Sequence, residues 1–434
     1  MAEEEAPELM TVKETIMSKQ QTDSMAAADN GLFHRRFFLK AGALAGTALL
    51  TAQSSAENRP TWMKAPGKGM SEAGVPSRYE NHVKRLPVSR PGTTGSGASR
   101  SPLEHLEGII TPSRLHFERH HSGIPEIDPE QHRLAVFGEV QRPLSFSAAG
   151  LCRYPLVSSI QFLECSGNSG ALIAPSPVDA SCSVLHGPVS GSEWSGVPLA
   201  LLLEEAGVKP SGKWLIASGA DAAGMSRSIP LSKIYDDAIV ALYQNGERLR
   251  PGNGYPMRLF LPGWEGNASV KWLKTLQVTD QPAMTKDETS KYSDRGEDGR
   301  AELFTFEMGV KSLITSPSPG LDLAAKGLYQ ISGIAWSGAG RIKRVEVSTD
   351  AGRTWAEAHL DAEPMPKSLS RFRAAWRWQG APAVLLSRAT DEAGQVQPTR
   401  AVVMQGRAPG SFYHYNGIQA WQVDASGAVR NVYV

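Results

Sequence analysis

Apolar and polar positions alternate with a period of two across residues 132–140 and again across 157–164, which predicts two half-buried strands. Between Pro198 and Ala206 the pattern becomes a leucine-rich run. Pro stands at its start and Gly207 just past its end, the punctuation of a short helix. Short apolar runs at 238–243 and 257–261 predict two further strands. Short strands and helices in no regular alternation predict an α+β domain, and no Gly-x-Gly-x-x-Gly run follows a strand to suggest a dinucleotide fold. From about residue 308 the pattern is all strand. Runs at 329–336, 342–348, 371–376 and 383–389 are evenly spaced and separated by Gly- and Asp-containing turns. That spacing predicts an immunoglobulin-like β-sandwich, although the Cys…Trp…Cys spacing of antibody domains is missing.

The first hundred residues follow neither period. Residues 1–31 are polar and acidic; then Arg35, Arg36, Phe37, Phe38, Leu39 and Lys40 precede a weakly apolar run ending at Leu50. The run is too short and too rich in Gly and Ala to span a bilayer stably. With paired arginines before it, the segment predicts a twin-arginine export signal at 1–56, cleaved near the small residues 52–56. Such a signal exports folded proteins, so the mature protein is expected in the periplasm, already folded. Residues 57–102, rich in Pro, Gly, Ser and basic side chains, predict an extended arm laid on the surface or on a partner. The remaining plan is one domain at 103–307 and the sandwich with its tail at 308–434.

The chain carries 45 basic and 44 acidic residues, and the balance stays near neutral without the signal. The strongly basic surface of a nucleic-acid binder, or of a polybasic membrane anchor, is therefore not expected. Three cysteines, Cys152, Cys165 and Cys182, are too few for a disulfide scaffold, and one must be unpaired within the chain; a Cys152–Cys182 pair stays open. No Cys-x-x-Cys-His haem-attachment motif occurs.

Candidate chemistry concentrates in four places. The strand at 157–164 runs straight into Cys165 and a loop of small residues, Ser166-Gly167-Asn168-Ser169-Gly170. A thiolate there could meet a soft or high-valent metal centre with backbone donors close by, although a buried inert cysteine would also suit a strand end. Arg119, His120 and His121 put one guanidinium and two imidazoles in three residues, readable as a polar turn or a zinc pair. Adjacent histidines do not easily point at one ion from a regular element. Arg258 and Lys271 flank the Gly263–Ser269 turn and read either as outward charges or as a phosphate cradle. Trp194 and Tyr292 are aromatic candidates that could equally be core and loop residues.

Phe162-Leu163-Glu164-Cys165-Ser166-Gly167-Asn168 resembles the strand and loop that carry the metal-ligating cysteine of the sulfite oxidase family. Pro256-Met257-Arg258, followed by Pro262-Gly263 and Ser269-Val270-Lys271-Trp272, is similar to that family's cradle for a pterin phosphate. The resemblance runs from about Leu103 to the C-terminus. It implies a sulfite-oxidase-type mixed α/β molybdopterin domain followed by an immunoglobulin-like dimerisation domain. It implies a molybdenum–molybdopterin cofactor, with Cys165 as the metal ligand. Phe117, His121, Asp221, Asn253, Arg258, Ser269, Val270 and Lys271 would bind the cofactor, with Ser228 beside them. Arg119, Tyr292 and Trp194 would line the substrate pocket.

Two departures narrow the reading. The family's second arginine after the cysteine is replaced here by Ser169-Gly170, and its arginine before the C-terminal Trp is missing from 415–420. The segments around 101–113, 117–121 and 165–170 are similar to the SoxC subfamily, the molybdenum subunits of sulfane dehydrogenases in periplasmic sulfur oxidation. That implies oxygen-atom transfer to a sulfane sulfur held on a SoxYZ-like carrier protein, with electrons leaving to a SoxD-like c-type cytochrome. The competing expectations are a dehydrogenase of free sulfite and, from another class, a cofactor-free secreted binding protein.

Overall fold

The computed structural model describes residues 32–33, 60, 63, 65–66 and 68–434. The export signal read at 1–56 lies outside the described residues apart from Leu32–Phe33. Two five-stranded sheets build the first half. One has the order Ser226–Pro230, Trp214–Gly219, Leu273–Thr279, Arg133–Gly138, Leu144–Ser147, with the third and fourth strands parallel. The other has the order Glu247–Arg248, Ile239–Gln244, Val189–Pro198, Val157–Glu164, and Arg258–Phe260 pairs with Ile239–Gln244. Leu134, Leu215 and Leu276 of the first sheet and Val240, Leu242 and Leu259 of the second share one core with the helix Leu199–Ala206. That helix buries Leu199, Leu202 and Leu203 completely, a contribution of roughly 2 kcal/mol per side chain before entropy is counted. It begins after Pro198 and ends at Gly207 with φ 70°, a left-handed stop that glycine reaches without strain.

The strands expected at 157–164, 238–243 and 257–261 are present within a residue or two. The strand Val189–Pro198 was not expected. Its sequence is Ser- and Gly-rich, because it runs buried between two neighbours and cannot carry bulk. A Cβ at Gly191 would meet the Ile109 carbonyl oxygen at 2.1 Å, and one at Gly196 the Val240 oxygen at 2.2 Å.

The second half is the expected sandwich. Lys311–Ser316, Gly327–Trp336, Ser370–Trp378 and His359–Leu360 lie in one sheet. Ala356–Glu357, Ile342–Ser348, Ala383–Asp391, Ala420–Val423 and Val429–Val432 form the other. Ile334, Trp336 and Phe372 pack against Val345, Leu385 and Trp421, and the same cluster takes in Leu103, Phe162 and Leu185 from the first half. The two halves are thus joined by a continuous apolar core behind the cysteine strand.

The arm is more than a surface wrap. Leu86–Ser89 and Gly97–Arg100 form a hairpin, and Gly97–Arg100 also pairs with Arg119–His120. All three cysteines are free: Cys152 is exposed and Cys182 buried. Among the described residues no helix is long and apolar enough to cross a membrane.

Candidate active site

Cys165 follows directly on the strand Val157–Glu164, and its backbone N–H donates to the Pro188 oxygen at 3.0 Å. Gly266 packs against the strand end: its N–H donates to the Glu164 oxygen at 2.7 Å, and a Cβ there would stand 2.9 Å from that oxygen. Asn168 closes the loop by donating its N–H to the Cys165 oxygen at 2.8 Å, and Ser169 turns the chain with φ 63°. The loop is held from below. Buried Glu164 accepts from Trp336 Nε1 at 2.6 Å, Asn168 Nδ2 at 2.8 Å and Lys311 Nζ at 3.1 Å. Burial raises the pKa of the Cys165 thiol, so a positive centre beside it would favour the thiolate.

The Cys165 side chain lines a narrow, partly enclosed cavity. Phe117, Arg119, His121, Asp221, Asn253, Arg258, Ser269, Val270, Lys271 and Tyr292 line the same cavity. Two buried cations stand on its floor. Arg258 donates to the oxygens of Asn253 at 3.0 Å and Ser269 at 2.7 Å, while its buried Nε has no partner among the described residues. Burial lowers its pKa to about 9. Lys271 Nζ meets the oxygens of Arg119 at 3.0 Å and Gly252 at 3.1 Å and His120 Nδ1 at 2.7 Å. Burial, and then Arg258, push its pKa well down. Glu118 and Asp221 are the nearby carboxylates; the Glu118 oxygens are engaged by Arg85 and by His120 Nε2 at 3.1 Å, and Asp221 makes no ion pair with Lys271. Two desolvated cations facing a cavity, neither in an ion pair among the described residues, fit a bound polyanion such as a phosphate ester. Asn253 Oδ1 and Asp221 Oδ1 are buried without partners among the described residues and supply acceptors for a ring N–H donor. The donor set therefore fits a phosphorylated pterin with a soft-liganded metal at its far end.

The third wall bears on substrate. His121 Nε2 lies 2.8 Å from the Tyr292 hydroxyl, and Arg119 Nη2 lies 3.5 Å from His121 Nδ1. Burial, and then the charges of Arg119, Lys286 and Lys271, lower the His121 pKa to about 4. The ring is therefore neutral at pH 7. Its Nε2 shares a hydrogen bond with the Tyr292 hydroxyl, while Arg119 stands at the edge of hydrogen-bond reach from Nδ1. Burial also pushes the Tyr292 pKa well up, keeping the phenol proton in place. His120 and His121 diverge, one toward Glu118 and Lys271 and the other toward Tyr292, so they do not form a zinc pair.

Two expected residues stand elsewhere. Trp194 does not line the cavity. It is completely buried, stacks on Phe260 at 4.6 Å and carries the Arg258 guanidinium 5.3 Å from its ring centre. It supports a cavity cation from behind, because its strand turns that face toward Phe260. Ser228 is spent on Glu288 and Ala283, outside the cavity.

Sequence reasoning missed the Phe412-Tyr413-His414 segment. Tyr413 lies 5.5 Å from Tyr292, and Phe412 lies 4.2 Å from Tyr413, ring centre to ring centre. The His414 N–H donates to the Ser166 oxygen at 2.8 Å, and its ring bridges Asp294 at 2.6 Å and Glu265 at 3.2 Å. Arg227, beneath Tyr292 at 5.3 Å, was also missed; Glu265 and Glu288 neutralise it. The one signal for the segment was its run of two aromatics and a histidine in an otherwise polar stretch.

Comparison with known proteins bears on this architecture. A family profile described as an oxidoreductase molybdopterin binding domain matches residues 121–286, and one described as a Mo-co oxidoreductase dimerisation domain matches 302–419. Mouse mitochondrial sulfite oxidase is 30% identical over 348 residues, 74% of this chain and 63% of that protein. The chain thus spans a little under two thirds of that relative. Chicken sulfite oxidase is 30% identical over 322 residues, 68% of this chain and 70% of the relative. The crystal structure of the sulfane dehydrogenase SoxCD from Paracoccus pantotrophus superposes with a TM-score of 0.84 at 44% identity, covering 87% of this chain and 98% of that one.

Proposed function

The chain belongs to the sulfite oxidase family of molybdopterin-binding oxidoreductases, and we propose that within it the protein is the molybdenum subunit of a sulfane dehydrogenase. One observation carries this reading: the rim beside Cys165 has no room for a second guanidinium. A Cβ at Gly170 would stand 2.9 Å from the Phe412 oxygen and 3.1 Å from its ring. The nearest arginines of the C-terminal segment are committed elsewhere, Arg407 to the oxygens of Tyr413 and His414 and Arg400 to the Leu172 and Ala174 oxygens. With Arg258 and Lys271 taken up by the phosphate, a free dianion would meet only Arg119, whose Nη1 also donates to the Gly97 and His120 oxygens, whereas a sulfur tethered to a carrier brings less charge and needs fewer cations.

In this reading Cys165 ligates the metal, Arg258, Lys271 and the Ser269–Val270 turn hold the phosphate, and Asn253, Asp221, Phe117 and His121 hold the pterin. The cofactor supplies oxygen-atom donation and two-electron redox chemistry when bound. The protein's own part is geometry and charge. Arg119 neutralises oxygens appearing on the sulfur, and Tyr292 donates its hydroxyl proton as a hydrogen bond without releasing it. Neutral His121 fixes that hydroxyl. Glu164, Asn168 and Lys311 keep the cysteine loop rigid.

The wider assignment follows the same reading. The protein acts in the periplasm after twin-arginine export, receives sulfur on a SoxYZ-like carrier and passes electrons to a SoxD-like c-type cytochrome. It self-associates through its C-terminal sandwich. The test is turnover by the molybdenum-loaded protein of carrier-bound persulfide against free sulfite, with cytochrome c as acceptor. Efficient turnover of the carrier-bound sulfur supports the proposal. Saturable turnover of free sulfite with none of the carrier-bound substrate makes the protein a sulfite dehydrogenase instead.

A further inference from the structure

Phe412 is half exposed, and its other face lies on the cysteine loop. A Cβ at Gly167 would be 3.1 Å from Phe412 Cε2 and 4.0 Å from Cys165 Sγ, so the ring edge and the sulfur flank the same point of the loop. From Phe412 the aromatic surface continues inward through Tyr413 to Tyr292, whose hydroxyl meets His121 at the cavity. The ring centres are 4.2 and 5.5 Å apart, in or near contact throughout. A run of neighbouring aromatic rings therefore connects half-exposed Phe412 to Tyr292, which lines the cavity. The loop beneath it bears glycine at both positions where a side chain would collide with Phe412.

We propose that Phe412 is a substrate-contacting specificity residue, an apolar rest for the uncharged chain that carries the sulfur into the cavity. This rests on the reading of the substrate as a tethered sulfur. An aromatic face holds peptide backbone, methylene and divalent sulfur at little entropic cost because it has two torsions to fix. It offers nothing to a small hydrated dianion. The residue should therefore act on binding of one substrate class and leave chemistry alone.

The experiment uses the molybdenum-loaded protein with two probes, a short peptide bearing one cysteine persulfide and free sulfite. Phe412→Ala should raise KM for the peptide about tenfold, the loss of one interfacial aromatic contact. It should leave kcat for the peptide and both constants for any residual sulfite turnover unchanged. Phe412→Tyr should restore the wild-type KM. Should Phe412→Ala lose molybdenum, Phe412→Leu keeps the packing while removing the flat face and should show the same selective rise. Wild-type failure to turn over the peptide would overturn the tethered-sulfur reading and this inference with it. Normal wild-type turnover with an unchanged peptide KM in the variants, or an equal change for both probes, would overturn this inference alone.

Discussion

Lys311, in the first strand of the C-terminal sandwich, places its ammonium 3.1 Å from the carboxylate of Glu164, the residue before Cys165. Both side chains are buried, and Lys311 also donates to Ser169 Oγ at 2.7 Å and the Tyr415 oxygen at 2.9 Å. One cation thus ties together the end of the cysteine strand, the far side of the cysteine loop and the C-terminal segment. Removing one partner of a buried pair leaves the other charge uncompensated. Lys311→Met is therefore expected to destabilise the fold by about 3–5 kcal/mol, measured as a shift of the urea unfolding midpoint at constant slope. Glu164→Gln added to Lys311→Met should recover much of the loss. A loss below about 1 kcal/mol in the single variant would mean that Lys311 does not hold these three segments together.

Lys271 should behave in the opposite sense. It is a desolvated cation without a carboxylate partner among the described residues, and burial pushes its pKa well down. Lys271→Met is expected to make the molybdenum-free protein more stable while weakening retention of the cofactor, because the same charge that is costly alone is neutralised by a phosphate. Thermal unfolding of the molybdenum-free form and metal content after gel filtration provide independent readouts. A variant less stable without molybdenum, or one that keeps a full complement of it, contradicts the cradle.

His414 predicts a pH dependence. Burial opposes its charge, but hydrogen bonds from its ring to Asp294 and Glu265 raise its pKa from 6.5 to about 9. A histidine raised on folding stabilises fully below the unfolded pKa and loses that contribution as pH rises through the folded one. The window runs from about pH 6.5 to about 9, and the protonated bridge contributes at most roughly 3 kcal/mol. Unfolding midpoints should fall across that window in the wild type and stay flat in His414→Gln. Equal slopes for the two proteins would show that the C-terminal segment is not held by this imidazolium.

How much of this was legible in the sequence follows from the distance over which each feature is specified. The strand into Cys165, the Leu199–Ala206 helix with its Pro and Gly punctuation and the sandwich strands are local patterns, and all stand where the periodicity placed them. Arg258 and Lys271 stood out because the segment around them resembles the family's phosphate cradle, while their own pattern left outward charges an equal reading. Val189–Pro198 was hidden because burial on both sides selects small residues and erases the alternation that marks a strand. Trp194 was expected on the pocket wall, yet which face of a strand a residue uses depends on register, and the ring lies behind Arg258. Phe412 reaches the loop from more than two hundred residues away, so nothing local near Gly170 announced it.

That contact changes what an arginine at position 170 would do. With Gly170 there, the Phe412 carbonyl occupies the space any side chain would need, and backbone cannot yield as a flexible side chain can. Gly170→Ala alone should cost about 1–3 kcal/mol, the usual penalty of forcing atoms into a filled site. Gly170→Arg should displace the 412–414 segment, breaking the His414 N–H contact to the Ser166 oxygen and lifting Phe412 from the loop. It would then add a guanidinium to the cysteine loop and remove the aromatic rest in one step. The ratio of kcat/KM for carrier-bound persulfide to that for free sulfite should fall by at least about tenfold, since both halves of the change favour the dianion. Gly170→Ala separates the two causes, because it moves the segment without adding charge: it should raise KM for the carrier-bound substrate and leave sulfite untouched. If Gly170→Arg folds, retains molybdenum and leaves the ratio where it was, the bare glycine beside Cys165 is not what tunes this pocket.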